Sequence, residues 1–159
     1  MSLKSTLFAA LAITSLGLPA LAQDIDVMDA YARSASPMAK TGAAFMLINN
    51  TGDVDDRLIE ARSPMGKLVQ LHTHIQNAEG VMKMTHVEEG FVVPAGETLV
   101  LQRGGNHVMF MGLDKGFEAG DTVPLTLVFE KSGEISLDVP VDPTRKPKEG
   151  HGKMHGSGN

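Results

Sequence analysis

The 159-residue chain contains no cysteine. That absence excludes disulfides, thiolate zinc sites, blue-copper ligation and dithiol redox chemistry together. Beyond residue 22 there is no apolar run of the roughly 20 residues that a bilayer-spanning helix needs. No segment of ten or more residues combines a 3.6-residue hydrophobic period with helix caps, so helices should contribute little. An excess of basic charge is missing too. Fourteen Lys and Arg face 19 Asp and Glu, for a formal charge of −5. This balance argues against nucleic acid, gives no sign of binding to anionic lipid, and permits an encounter with a cationic metal or a basic partner.

What is present begins with a leader. Lys4 precedes an apolar run from Leu7 to Leu18, interrupted by Thr14, Ser15 and Gly17, and Ala20-Leu21-Ala22 is a small-x-small cleavage site. Residues 1–22 read as a secretory signal peptide, leaving a mature chain that starts at Gln23. Residues 23–141 are enough for one domain with its own core. Residues 142–159, rich in Gly, Pro and charge and poor in apolar side chains, read as a disordered tail.

Between them, short apolar or alternating segments are punctuated by Gly, Pro, Asn and Asp. Strands are expected at 25–32, 42–48, 57–61, 67–75, 81–87, 97–101, 107–112, 122–129 and 134–139, with a short segment at 91–93. Asn49-Asn50-Thr51-Gly52-Asp53 and Arg103-Gly104-Gly105-Asn106 are strong turns. Eight or nine short strands at this spacing mean an all-β sandwich or small barrel, with a Greek key among its connections. In the strand at 57–61, simple alternation puts Leu58 and Glu60 on one face and Ile59 and Ala61 on the other. Met28, Met38, Met46 and Met65 read as core packing.

The stretch from Leu68 to Leu113 holds four of the six histidines and four of the ten methionines. His72 and His74 fall on one expected strand, Met82, Met84 and His86 on the next, and His107, Met109 and Met111 on a third. Within each strand these residues lie two apart, so each set projects from one face. A hairpin closed by Gln76 to Gly80 would set His74 opposite Met82 and His72 opposite Met84. Thioether sulfur is a soft donor and imidazole a borderline one, and a His/Met set without carboxylate or thiolate favours Cu(I). All these donors are neutral, so the metal should be held exchangeably. No Asp or Glu is an immediate sequence neighbour of His72, Met84, His107 or Met109, which disfavours general acid–base catalysis, and the site lacks the His-rich copper(II) set that a monooxygenase or dismutase needs. His74, His86 and Met111 are spare candidates. The tail residues His151, Met154 and His155 offer a second copper site, with Cu(II) its candidate ion, against the plainer reading of an unstructured polar tail.

These residues resemble a known family. His72, then Met84, then His107-x-Met109 is similar to the signature of the periplasmic copper chaperones called PCuAC. The resemblance extends through Thr41-Gly42-Ala43-Ala44-Phe45-Met46, Ile48-Asn49-Asn50, Asp56-Arg57-Leu58 and Ser63-Pro64, then Pro94-Ala95-Gly96 and Gly104-Gly105-Asn106-His107-Val108-Met109. It covers roughly residues 27–139. The chain departs from the family's usual pattern in four places. The Met84–His107 interval is one residue longer, Arg103 stands where Pro is usual, Tyr31 where Trp is frequent, and His86 where Arg is common.

The resemblance implies a cupredoxin-like fold with an exposed Cu(I) site, whose ligands match His72, Met84, His107 and Met109 here. It implies a monomeric, non-enzymatic periplasmic protein. Its expected partners are subunit II of cytochrome c oxidase, which carries the CuA centre, and Sco-type thiol proteins. The rival reading is a copper buffering or resistance protein with no dedicated client.

Overall fold

The computed structural model describes residues 24–146. The expected signal peptide and the tail donors His151, Met154 and His155 lie outside the described residues. Ten strands form within them: β1 (Ile25–Ser34), β2 (Thr41–Asn50), β3 (Asp56–Arg62), β4 (Leu68–Gln76), β5 (Met82–His86), β6 (Phe91–Val93), β7 (Thr98–Leu101), β8 (His107–Met111), β9 (Thr122–Phe129) and β10 (Gly133–Pro140). Every expected strand is present. The short segment at 91–93 pairs with β3 and raises the number to ten.

The strands make two antiparallel sheets. The first runs β1-β2-β8-β4-β5, with β7 sharing the β2 edge beyond β8, and the second runs β10-β9-β3-β6. The chain therefore changes sheet at β2–β3, β3–β4, β5–β6, β6–β7 and β8–β9. Alternation along each strand delivers the apolar side chains between the sheets. Ala44, Met46 and Ile48 of β2, Val108 and Phe110 of β8, and Val123, Leu125 and Leu127 of β9 are buried there. Each such Leu, Ile, Val or Phe contributes about 1.5–3 kcal/mol over an exposed position.

Two bulges change which residues face inward. In β1 the register shifts between Met28 and Tyr31, where Asp29 adopts φ 58°. Ile25 and Val27 point to the core before the bulge, and Ala32 and Ser34 after it. The bulge thereby turns Tyr31 and Arg33 to the outer face. In β3 the register shifts between Leu58 and Glu60. Leu58 and Ala61 are consequently both buried, and Ile59 is 42% exposed. Simple alternation is thus corrected by one unpaired residue. Of the four methionines read as core, Met46 is buried and Met65 packs against the core, but Met28 and Met38 are exposed. Met28 lies at the β1 bulge and Met38 in the loop before β2.

Buried polar groups close the ends of the sandwich. Asn50 Nδ2 donates to the carbonyls of Val54 and Val93, both at 2.9 Å. Asp56, 5% exposed, accepts hydrogen bonds from the amides of Arg57, Lys131 and Ser132 and from Ser132 Oγ. Burial opposes its ionisation, yet these donors outweigh burial and hold the carboxyl below its ordinary range. Residues 142–146, the start of the expected tail, return against the domain. Asp142 caps a turn by accepting from the Thr144 and Arg145 amides, and Arg145 lies over the Tyr31 ring, 4.7 Å from its centroid, while pairing with Asp29.

Candidate metal centre

Strands β8, β4 and β5 are neighbours in the first sheet, so the three His/Met sets meet on its outer face. The rows across that face follow from the register. His107, His72 and His86 are directly opposed in one row, His74 and Met84 in the next, and Ala43, Met109 and Gln70 in another. The expected hairpin register is corrected by two residues: His74 faces Met84 and His72 faces His86. The cause is the turn. Asn77 N–H donates to the Val81 carbonyl, and Val81 N–H donates to Asn77 Oδ1, so Asn77 and Val81 close the loop. A two-residue shift preserves the face, so the donors still gather.

Rings line up across all five strands. Tyr31 and Phe45 are 5.1 Å apart between centroids, Phe45 and His107 6.1 Å, His107 and His72 5.9 Å, and His72 and His86 5.8 Å. His74 lies 5.3 Å from His107 on the other side. A cavity opens beside this row, lined by Ala43, Phe45, His74, Met84, His107 and Met109, with Arg103 and Gly104 at its edge. His72 borders His107 but is not part of that lining. Met111, opposite Thr41 and Leu68, lies further along β8 and is not brought in either. Met82 pairs with Gln76 near the hairpin end and is 53% exposed.

The hydrogen bonds determine which nitrogens are free to bind metal. His107 is 2% exposed, and its Nδ1 donates to the Gly105 carbonyl at 2.9 Å, so the neutral ring keeps its lone pair on Nε2. Gly105 is held by the turn that closes β7 onto β8. Gln102 N–H donates to the Asn106 carbonyl, and Gly104 takes φ 80°, a conformation that favours glycine. The Gly105 carbonyl also lies 3.4 Å from His74 Nδ1. His72 Nε2 donates to Gln70 Oε1 at 3.2 Å, which leaves the lone pair on Nδ1. That atom is buried and has no hydrogen-bond partner. A buried, unpartnered imidazole lone pair is a place for a Lewis acid. The Gln70 amide completes the chain by donating Nε2–H to His86 Nδ1 at 3.3 Å. Gln70 was missed in the sequence, although its spacing of two from His72 places it on the same face.

Both rings are kept neutral. Burial depresses the His72 pKa, with the His107, His86 and His74 charges adding to the effect. Burial also depresses that of His107, against the Gly105 hydrogen bond and with help from His74. Neutral imidazole is the ligating form. Among the described residues, no three His, Asp or Glu side chains converge as a metal-holding group. Met84 and Met109 are the sulfurs that line the cavity with His74 and His107. This donor set fits Cu(I).

A family model described as "Putative lipoprotein LpqE-like" matches residues 25–141. The copper-bound PCuAC domain from PmoF2 superposes with a TM-score of 0.61 at 26% identity, over 76% of this chain and 93% of that one. The chain belongs to the LpqE-like family of PCuAC proteins. The Cu(I) form of DR1885 from Deinococcus radiodurans is similar as well, with a TM-score of 0.59 at 30% identity over 79% of this chain and 84% of that one. A protein of Leifsonia xyli subsp. xyli described as "Putative lipoprotein Lxx21020" is 33% identical over 87% of this chain and 89% of its own length. The PCuAC assignment confirms the cupredoxin-like β fold read from the sequence. The 159 residues contain no cysteine that could carry a thioether-linked lipid.

Proposed function

We propose that this PCuAC protein is an exported Cu(I) carrier. It takes the ion on the outer face of the β8-β4-β5 sheet, through His72, His107, Met84 and Met109. The observation that carries this reading is the tautomer pattern. Gln70 and Gly105 occupy one nitrogen of His72 and of His107, and leave lone pairs on His72 Nδ1 and His107 Nε2; His107 shares its cavity with the Met84 and Met109 thioethers, and the His72 ring lies against His107. His74 lines the same cavity and is the natural fifth candidate, able to hold the ion as one of the other ligands leaves. The copper-bound PmoF2 domain and Cu(I)-DR1885 support the choice of metal. The export signal and the lipoprotein relative support a location outside the cytoplasm, the periplasm in a cell with two membranes.

The protein carries copper and does no chemistry on it. Among the described residues, no carboxylate lines the cavity to serve as a general base or acid. Neutral ligands leave the +1 charge uncompensated, so the hold is exchangeable, as delivery requires. The client in this reading is the CuA centre of cytochrome c oxidase, with a Sco-type thiol protein alongside. The test has two parts. Cu(I) titration against a calibrated chelator under reductant should give one tight equivalent, lost in the Met84→Leu/Met109→Leu variant with the fold intact. Loaded protein should then metallate an apo CuA domain. Unchanged affinity in the double variant would overturn the ligand set. Tight binding without transfer would make the protein a copper buffer.

A further inference from the structure

The copper face has a charge pattern that ligation does not use. Of the five arginines, Arg57, Arg62 and Arg145 each pair with a carboxylate. Among the described residues, Arg33 and Arg103 have no ion-pair partner, and both flank the metal site. They line one groove together with Ala43, Phe45 and Met109. Arg33 faces outward because of the β1 bulge and lies in register with Ala43, which is in register with Met109. Ala43 is small, so the Arg33 side chain has a clear path toward the thioether. Arg103 stands in the turn just before His107 and also borders the His74–Met84 cavity. Among the described residues, no Asp or Glu lines either depression. In a chain of formal charge −5, the copper face is locally positive.

This matters for any protein that takes metal from the site. Direct ligand exchange needs the acceptor's donor atoms within bonding distance of the ion, so the acceptor must cover this face. Covering it desolvates two guanidiniums. A buried unpaired charge is costly, whereas a guanidinium meeting a carboxylate bidentately is well matched. Arginine, methionine and aromatics without carboxylates are also what interface centres favour. Two charges are too few to hold an anionic bilayer, where each basic residue contributes about 1 kcal/mol.

We infer that Arg33 and Arg103 are the recognition pair of a docking face centred on Met109 and Phe45, and that its occupant is a copper-receiving protein with carboxylates around its own metal site. This inference rests on the Cu(I)-carrier reading. It also revises the basic partner that the overall charge permits, since the two depressions carry Arg33 and Arg103 and the nearby Asp29 is paired with Arg145.

The test compares the full mature chain with Arg33→Glu/Arg103→Glu, and with Arg33→Gln/Arg103→Gln as the milder pair because Arg33 is half-buried. Copper release from loaded protein is timed to anionic bathocuproine disulfonate and to uncharged neocuproine, and to an apo CuA domain before and after its surrounding carboxylates are changed to amides. The ratio of anionic to neutral rates should fall about ten-fold in the charge-reversed pair at low salt. The difference should vanish near 1 M salt, where the Debye length is about 3 Å. The amide form of the acceptor should lose the same advantage. An unchanged ratio in both variants, with copper still bound, would overturn the docking face and leave the carrier reading standing. A wild-type chain that retains no Cu(I) would overturn both. Variants that lose binding to phosphatidylglycerol vesicles while the ratio stays put would assign the arginines to a membrane surface instead.

Discussion

An imidazole is a ligand only while one nitrogen keeps its lone pair, and here the neighbours of the histidines decide which one. Gln70 holds His72 through Nε2, and the Gly105 carbonyl holds His107 through Nδ1. Replacing Gln70 by Leu should therefore leave the strand intact but free the His72 ring to turn. Such supporting contacts are typically worth about 10–100-fold in metal affinity. Competition titration should show a loss in that range, and wild-type affinity in Gln70→Leu would show that the ring needs no such support. Both ring pKa values are depressed by burial, so protons compete with copper only below the ordinary imidazole value of about 6.5. Cu(I) affinity should be flat from pH 8 to that point and fall below it. In the apo protein the sign is the same. The unfolded chain protonates these rings first, so stability present above about pH 6.5 is lost as pH falls through the depressed values. Chelator titrations and urea melts between pH 5 and 8 would check both, and affinity already falling above pH 7 would contradict the depressed pKa values. That His72, Met84, His107 and Met109 share one outer face was legible because side chains two apart project from the same side of a strand. Gln70 and Gly105 were not, because a positioning contact has no signature of residue type.

At the scale of elements, nearly every strand was legible from alternation and turn chemistry, and their pairing was not. The β4–β5 hairpin was placed two residues off, because the Asn77 side chain and the Val81 backbone close the loop one residue later on each side than the Gly80 turn signal suggests. The two bulges were invisible for a similar reason. Each inserts a single unpaired residue whose only mark is local backbone geometry, at Asp29 in β1 and beside Ile59 in β3. The β1 bulge still has a functional consequence, since it sets Tyr31 and Arg33 on the copper face. The second sheet depends on the Asp56 clamp, which ties the start of β3 to the β9–β10 turn through three hydrogen bonds and accepts a fourth from the Arg57 amide. Asp56→Ala should cost about 2–4 kcal/mol, because a buried charged acceptor is lost and its amide donors are left unpaired. Its carboxyl is depressed, so this contribution is present above the ordinary carboxylate range and disappears as pH falls through the lowered value. Denaturant melts of the variant at pH 7 and at acid pH would show a large difference at the first and a small one at the second.

Across the whole molecule, the metal face and the core are separate. The sandwich buries its apolar side chains between the sheets, and the proposed copper donors stand on the outside of one of them. The chain should fold without copper. Far-ultraviolet circular dichroism should be the same with and without the ion, and Cu(I) should raise the melting temperature by mass action alone, about 2.7 kcal/mol at a free concentration one hundred times Kd. An apo protein lacking β signal would contradict that separation. The most direct test of the central claim is copper-edge X-ray absorption of a Cu(I)-loaded chain ending at Lys146, which retains the Arg145 contact with Tyr31 and omits the tail donors. One bound ion with a mixed sulfur and nitrogen shell is expected, with sulfur scattering that disappears in Met84→Leu/Met109→Leu. A shell of nitrogen or oxygen alone, or no bound copper once the tail is removed, would contradict it.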